Sequence, residues 1–203
     1  MFDRPWLAAA LLCLAALARP AAAQTTEVHG VKFNNSLTLG TSALQLNGAG
    51  TRYKTIIKVY AAALYLPAKA STPEAVLSAP GPKRLHVVML RDIDANELGK
   101  LFTRGMEDNS TREEFSKTIS GTLRLADMFA ARKRLASGDQ FTVDYLPGRG
   151  TVISINALAQ GEPVKEPEFF NALMRIWLGR SPADALLKNA LLGISAPERM
   201  VGG

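Results

Sequence analysis

Apolar and polar residues alternate from Val28 to Phe33, the period of a half-buried strand. Asn34-Asn35 predicts a turn. Ser36–Leu39 and Ala43–Leu46 predict two short strands around Gly40-Thr41. Asn47-Gly48-Ala49-Gly50 reads as a glycine-rich bend. From Thr51 to Leu66 the chain runs TRYKTIIKVYAAALYL, rich in β-branched and aromatic residues, and predicts one long strand or two joined strands ended by Pro67. Thr72-Pro73-Glu74 opens a short helix, with Thr as N-cap and Pro in the first turn. Pro80-Gly81-Pro82 closes it, and Arg84–Leu90 is apolar enough for a buried strand.

The period then changes. Asp94 caps a predicted helix over Asn96–Glu107. Thr111 and Glu114 form a capping-box pattern that starts another, with Phe115, Ile119, Leu123, Ala126 and Phe129 as its inner face. Gln140–Tyr145 and Gly150–Asn156 alternate as strands around the Pro147-Gly148 turn. Gln160-Gly161-Glu162 marks a further turn. Pro167–Leu178 predicts a helix burying Phe170, Leu173, Ile176 and Trp177. Ser181-Pro182 opens a last helix that Gly193 ends, and Ile194–Gly203 reads as a loose tail. Strands joined by tight turns and helices gathered in blocks imply an α+β fold, an antiparallel sheet with helices on one face. No repeat or linker divides it.

The N-terminus stands apart from this pattern. Arg4 precedes an unbroken apolar run from Trp6 to Ala18, Arg19-Pro20 interrupts it, and Ala21–Ala23 supplies small residues before Gln24. This is the layout of a secretory signal, so residues 1–23 are expected to be removed and residues 24–203 to form one domain working in the periplasm or outside the cell. The run is too short for the roughly 20 residues that cross a bilayer, so no membrane span is expected after cleavage. Cys13 is the only cysteine and follows Leu12 rather than a small residue, so lipidation is not expected. Without other cysteines, the exported chain has neither a disulfide nor a thiolate nucleophile.

Charge adds little. The chain has 24 Lys and Arg against 18 Asp and Glu, a formal net of +6. The tight basic clusters, Lys83-Arg84 and Arg132-Lys133-Arg134, carry no interleaved aromatics and read as solvated faces, which argues against a nucleic-acid partner. His29 and His86 are too few and too far apart for a metal site, and His86 reads as a satisfied core or edge residue. Asp94 is accounted for as a cap, and Asp92 alone makes no acid–base pair. Phosphate-binding, dinucleotide and hydrolase motifs are missing, so no cofactor is expected. Arg52 is the clearest candidate for chemistry. On a regular strand Arg52, Lys54, Ile56, Lys58 and Tyr60 share one face. A guanidinium fork suits a carboxylate, a tyrosine hydroxyl supplies a second bond, and apolar neighbours accommodate a greasy tail. An exposed face with snorkelling Arg and Lys fits the same pattern.

Four segments carry a family resemblance: LQLNGAGTRYKTIIKVYAAALYLP (Leu44–Pro67), GPKRLHVVMLRDID (Gly81–Asp94), DYLPGRGT (Asp144–Thr151) and FFNALMRIWLG (Phe169–Gly179). Together they resemble the chalcone isomerase-like family, most of all its exported bacterial branch. The resemblance implies an open-faced β-sandwich, a large antiparallel sheet covered by helices with a ligand cleft between them. Plant chalcone isomerases place five polar residues in that cleft. The arginine falls on Arg52 and the strand threonine on Tyr60. The helix tyrosine has no counterpart, the asparagine falls near Thr103 and Arg104, and the late hydroxyl falls near Ile176. A fatty-acid-binding branch grips a carboxylate with an arginine and a strand tyrosine, which Arg52 and Tyr60 match in type. The resemblance thus implies a non-catalytic binder of a fatty acid or similar amphipathic anion. Arg52, Tyr60, Lys58 and Thr55 would supply its polar contacts, with Ile56 and Leu64, and also Phe102, Met106 and Trp177, around the tail. An intramolecular lyase acting on an enone or phenolic compound, and an interaction module of the cell envelope, are the alternatives.

Overall fold

The computed structural model describes residues 24–194, so the expected signal segment and all but the first residue of the expected tail lie outside the described residues. These residues form eleven strands and six helices. The chain opens with β1 (Thr25–Val28) and β2 (Val31–Asn34), where one strand was expected. It reverses at His29-Gly30, both at positive φ, and the two strands pair antiparallel. β3 (Ser36–Leu39) turns at Gly40 into β4 (Ser42–Lys54). β4 is continuous through Asn47–Gly50, so the expected glycine-rich bend is absent.

Those glycines serve close approach instead. A Cβ at Gly50 would stand 2.6 Å from the Ala190 Cβ, and one at Gly48 would run into the Ala190 carbonyl oxygen. The final helix therefore crosses directly over bare strand backbone.

Thr51–Leu66 is a hairpin rather than one strand. β4 ends at Lys54, Thr55 takes φ +60°, and β5 (Ile57–Leu66) returns alongside. β5 is apolar on both sides because both are covered. Tyr60, Ala62, Leu64 and Leu66 face the helices, while Ala61, Ala63 and Tyr65 pack with Phe33, Leu39, Leu44 and Leu46 on the other face. After α1 (Pro73–Ser78), capped by Thr72, come β6 (Lys83–Met89) and the two-residue β7 (Ile93–Asp94). α2 (Ala95–Asp108) follows its Asp94 cap.

The capping box at Thr111 and Glu114 is present, but its helix stops early. α3 (Arg112–Ser116) and α4 (Ile119–Ala130) are separate. The break rotates the expected inner face, leaving Ile119 and Leu123 exposed, while Gly121, Thr122, Leu125 and Phe129 are buried. β8 (Arg134–Leu135) pairs with β7, and β9 (Gln140–Leu146), β10 (Gly150–Ile155) and β11 (Leu158–Ala159) follow. α5 (Pro167–Leu178) is buried on nearly every side. α6 (Ala185–Leu191) starts four residues after Ser181 because Asp184 is the residue that caps it.

The main sheet has seven antiparallel strands in the order β11-β10-β9-β6-β5-β4-β3. Its helix-covered face holds the principal core, centred on α5 and α2. The other face carries the β1–β2 hairpin over the β3–β5 end. This is the α+β, open-faced arrangement expected.

Lys83-Arg84 is not a solvated cluster. Lys83 is 3% exposed, and its ammonium lies 4.9 Å from the Tyr145 ring centroid and 5.6 Å from that of Phe170. Burial pulls its pKa below the usual lysine value. Arg84 grips Asp144 with two bonds of 2.6 Å. These positions alternate into and out of the core because they begin a buried strand, a requirement that outweighs their charge. His86 is satisfied as expected, its Nε2 lying 2.6 Å from Gln140 Oε1.

Candidate functional site

Arg52 and Tyr60 are cross-strand partners in the β4–β5 hairpin. Neighbouring side chains of such a pair stand close on one face. The Arg52 guanidinium carbon lies 5.8 Å from the centre of the Tyr60 ring, within cation–π range. Immediately after Arg52 the pairing register slips, and the slip leaves the Tyr53 N–H to donate to Asp184 Oδ2 at 2.8 Å. The other oxygen of Asp184 accepts from Leu186 N and Leu187 N at the start of α6. One carboxylate thus joins the bulge beside Arg52 to the loop that leads into the last helix.

Tyr60 is 1% exposed, and Trp177 Nε1 of α5 donates to its hydroxyl oxygen at 2.8 Å. Burial pushes its pKa up to about 12, against the opposing pull of Arg52 and of the Trp177 bond. Tyr60 therefore keeps its proton at neutral pH. Its oxygen already accepts a bond, so its own proton remains to be given to an acceptor.

Helix α2 supplies the opposite wall. Leu98, Leu101, Phe102 and Gly105 line a cavity of about 210 Å3 with Arg52, Tyr60 and Ile176; Arg104, Asp108 and Ser181–Ala183 complete it. Phe102 is held edge-on by Phe129, Phe141 and Trp177, with centroids 5.4 to 5.7 Å apart. A Cβ at Gly105 would come within 3.2 Å of Ile176, so glycine lets α2 approach α5 here. The result is a recess whose apolar walls meet the Arg52 cation and the buried Tyr60 phenol, with the exposed Arg104 and Asp108 adding a second cation and a carboxylate, a composition suited to the acid group of a small amphipathic molecule. A larger depression of about 540 Å3, lined by Arg124, Asp127, Met128, Ala131, Arg132, Gln160 and Gly161, has no buried residue in its walls. Among the described residues no three His, Cys, Asp or Glu gather as metal ligands, and no helix is long and apolar enough to cross a membrane.

Of the sequence-predicted site residues, Arg52 and Tyr60 converge. Thr55 and Ile56 form the hairpin turn and are exposed, and exposed Lys58 stands opposite Tyr53. None of the three lines the cavity. The expectation of a shared face assumed a continuing strand, whereas the chain reverses at Thr55-Ile56. Leu64 is fully buried in the principal core, four residues beyond Tyr60, and does not reach the cavity either. Phe102 is in the wall and Trp177 acts from behind Tyr60. Met106 is a core residue whose sulfur lies 3.8 Å from the Thr122 hydroxyl that donates to it.

The sequence reading missed Leu98, Leu101, Asp108, Asp184 and the Ser181–Ala183 loop. Reading Ser181-Pro182 as the helix start concealed Asp184. An Asp directly before the run Ala185–Leu191 is a residue type that caps helices, and it is the signal that would have revealed the true start.

The comparisons with known proteins agree with this architecture. The model of a family described as chalcone isomerase-like matches residues 25–193, from β1 through α6. The crystal structure of an Arabidopsis thaliana fatty-acid binding protein is similar in fold, with a TM-score of 0.65, 16% identity, and coverage of 80% of this chain and 92% of that one. No curated protein sequence matches significantly. The matched span takes in the whole sheet and every helix that walls the cavity, and the chain belongs to the chalcone isomerase-like family.

Proposed function

We propose that this protein is a non-catalytic binder of a small amphipathic acid and that it works in the periplasm after loss of residues 1–23. The observation that carries the binding role is the convergence of Arg52 and a proton-bearing Tyr60 on one apolar recess. Arg52 pairs with the acid group, Tyr60 donates a second bond, and Leu98, Leu101, Phe102 and Ile176 enclose the first part of the tail. A similarly folded plant protein is named for fatty-acid binding, which supports the same ligand class. The apolar run and small-residue site before Gln24 support export.

Isomerase chemistry would require a group that takes up a proton at neutral pH. Tyr60 is held protonated and Lys58 lies on the hairpin tip away from the cavity, which leaves Asp108, an exposed carboxylate in the lining, as the group such chemistry would have to use. The Arg52–Tyr60 pair itself favours binding without turnover.

Calorimetric titration of residues 24–203 with medium- and long-chain fatty acids tests it. Arg52→Ala removes a charge-assisted contact worth about 1.5–3 kcal/mol and is expected to weaken binding by about tenfold to a hundredfold. Unchanged affinity in Arg52→Ala, or turnover of a chalcone by the wild type, would reject the proposal. Export is tested separately by cell fractionation and N-terminal sequencing, with Gln24 expected as the first residue.

A further inference from the structure

The β4–β5 hairpin tip is composed differently from the rest of the surface. Lys54, Thr55, Ile56, Ile57 and Lys58 are five consecutive exposed residues. Ile56 is 87% exposed and Ile57 45%. One exposed isoleucine needs no explanation. Two side by side at the end of a hairpin, with Lys54 before them and Lys58 after, make an apolar point with a cationic collar.

The surroundings share that sign. From Val28 to Pro73 the chain has no Asp or Glu, yet it carries Lys32, Arg52, Lys54, Lys58 and Lys69. Among the described residues neither Lys54 nor Lys58 forms an ion pair. The acidic group nearest the base of the tip, Asp184, is engaged by three backbone N–H groups. Leu186, also exposed, is bound to that same carboxylate. Tyr53, at the base of the tip, places its hydroxyl 2.9 Å from His29 Nε2 and adds an aromatic ring of the kind favoured at membrane–water boundaries.

We infer that the Lys54–Lys58 hairpin tip docks on an anionic lipid surface, with Ile56 and Ile57 entering the headgroup–acyl boundary and Lys54 and Lys58 meeting the phosphates. Apolar insertion combined with cationic attraction is the general basis of interfacial attachment. Arg52, which lines the cavity, lies two residues from Lys54, so docking by this tip brings the acid site to the lipid surface. The docking does not depend on the identity of the acid.

The test is flotation of residues 24–203, which contain every described element of the fold, with two kinds of vesicle. One kind is phosphatidylcholine alone, and the other is equal parts phosphatidylcholine and phosphatidylglycerol. The wild type is expected to float with the anionic vesicles, less so as salt is raised. Ile56→Asp/Ile57→Asp is expected to lower the bound fraction more than tenfold, since burying one such side chain accounts for that factor. Lys54→Gln and Lys58→Gln are each expected to lower it about fivefold at low salt. The exposed position of these residues leaves folding intact, which thermal melting checks. Acid binding by Ile56→Asp/Ile57→Asp in vesicle-free solution is expected to match the wild type. Failure of the wild type to float, equal flotation of the variants, or capture of a protein by a tip that ignores lipid would overturn the inference. So would loss of acid binding without vesicles, which would return the tip to the acid site.

Discussion

Asp184 offers the sharpest test of how the site is held. Its side chain accepts three backbone bonds: Tyr53 N at 2.8 Å, Leu186 N at 2.8 Å and Leu187 N at 3.0 Å. The last two are the N-cap of α6, a contribution of about 0.5–2 kcal/mol. The first is a charge-assisted bond to a strand N–H that the register slip leaves without a ladder partner, about 1.5–3 kcal/mol. Water reaches the half-buried carboxylate and both effects share it, so Asp184→Ala is expected to cost about 2–4 kcal/mol. In urea this appears as a lower midpoint with unchanged slope. Asp184→Asn keeps one acceptor oxygen and remains a good cap, so it should recover about half the loss. Acid affinity supplies the readout that a purely structural role would not move. If Asp184 positions Arg52, Asp184→Ala weakens binding in the wild type but adds little in an Arg52→Ala background, a non-additive cycle. A stability loss below about 0.5 kcal/mol, well under the cap contribution alone, would refute the reasoning. Fully additive effects on binding would refute the positioning role.

Further predictions follow from other contacts. Tyr60→Phe leaves the buried Trp177 N–H without its acceptor and should cost about 1–3 kcal/mol in chemical denaturation; Tyr60→Phe/Trp177→Phe, which removes both partners, should recover part of that loss. Gly48→Ala pushes a methyl into the Ala190 carbonyl and should destabilise by about 1–3 kcal/mol or more, seen as a fall in melting temperature. Burial holds the His86 pKa below the ordinary 6.5, so the unfolded chain takes up that proton first. Stability from His86 is therefore present above about 6.5 and declines as pH falls from there through the folded value. Urea midpoints measured across this range should show that decline, and His86→Gln should flatten it.

Much of the fold is legible in local chemistry. Thr72, Asp94 and the Thr111–Glu114 box cap helices as their residue types require, and Gly40 and Pro147-Gly148 sit at turns. The strand alternation of Gln140–Leu146 is visible for the same reason: side-chain direction in a strand is set by the residue's own backbone. Arg52 is legible as a cation in a strand, and the motif resemblance pairs it with Tyr60. The turn between them is hidden, because Thr55-Ile56 carries none of the Gly, Asn or Pro that announces a reversal, and Thr55 takes a backbone conformation its type rarely adopts. That single turn sends Ile56 and Lys58 away from the cavity. Asn47–Gly50 misleads for the opposite reason. Its glycines look like a bend, yet they are required by a helix some 140 residues later in the chain, which comes too close for a Cβ. Lys83 looks solvated, but burying its strand overrides its charge. The sequence by itself thus determined many of the elements, the caps at Thr72, Asp94 and Thr111, and the chemical character of the Arg52–Tyr60 pair. Only the tertiary structure decided which residues wall the recess, because Leu98, Phe102, Ile176 and the Ser181–Ala183 loop meet there by packing between segments that share no local signal.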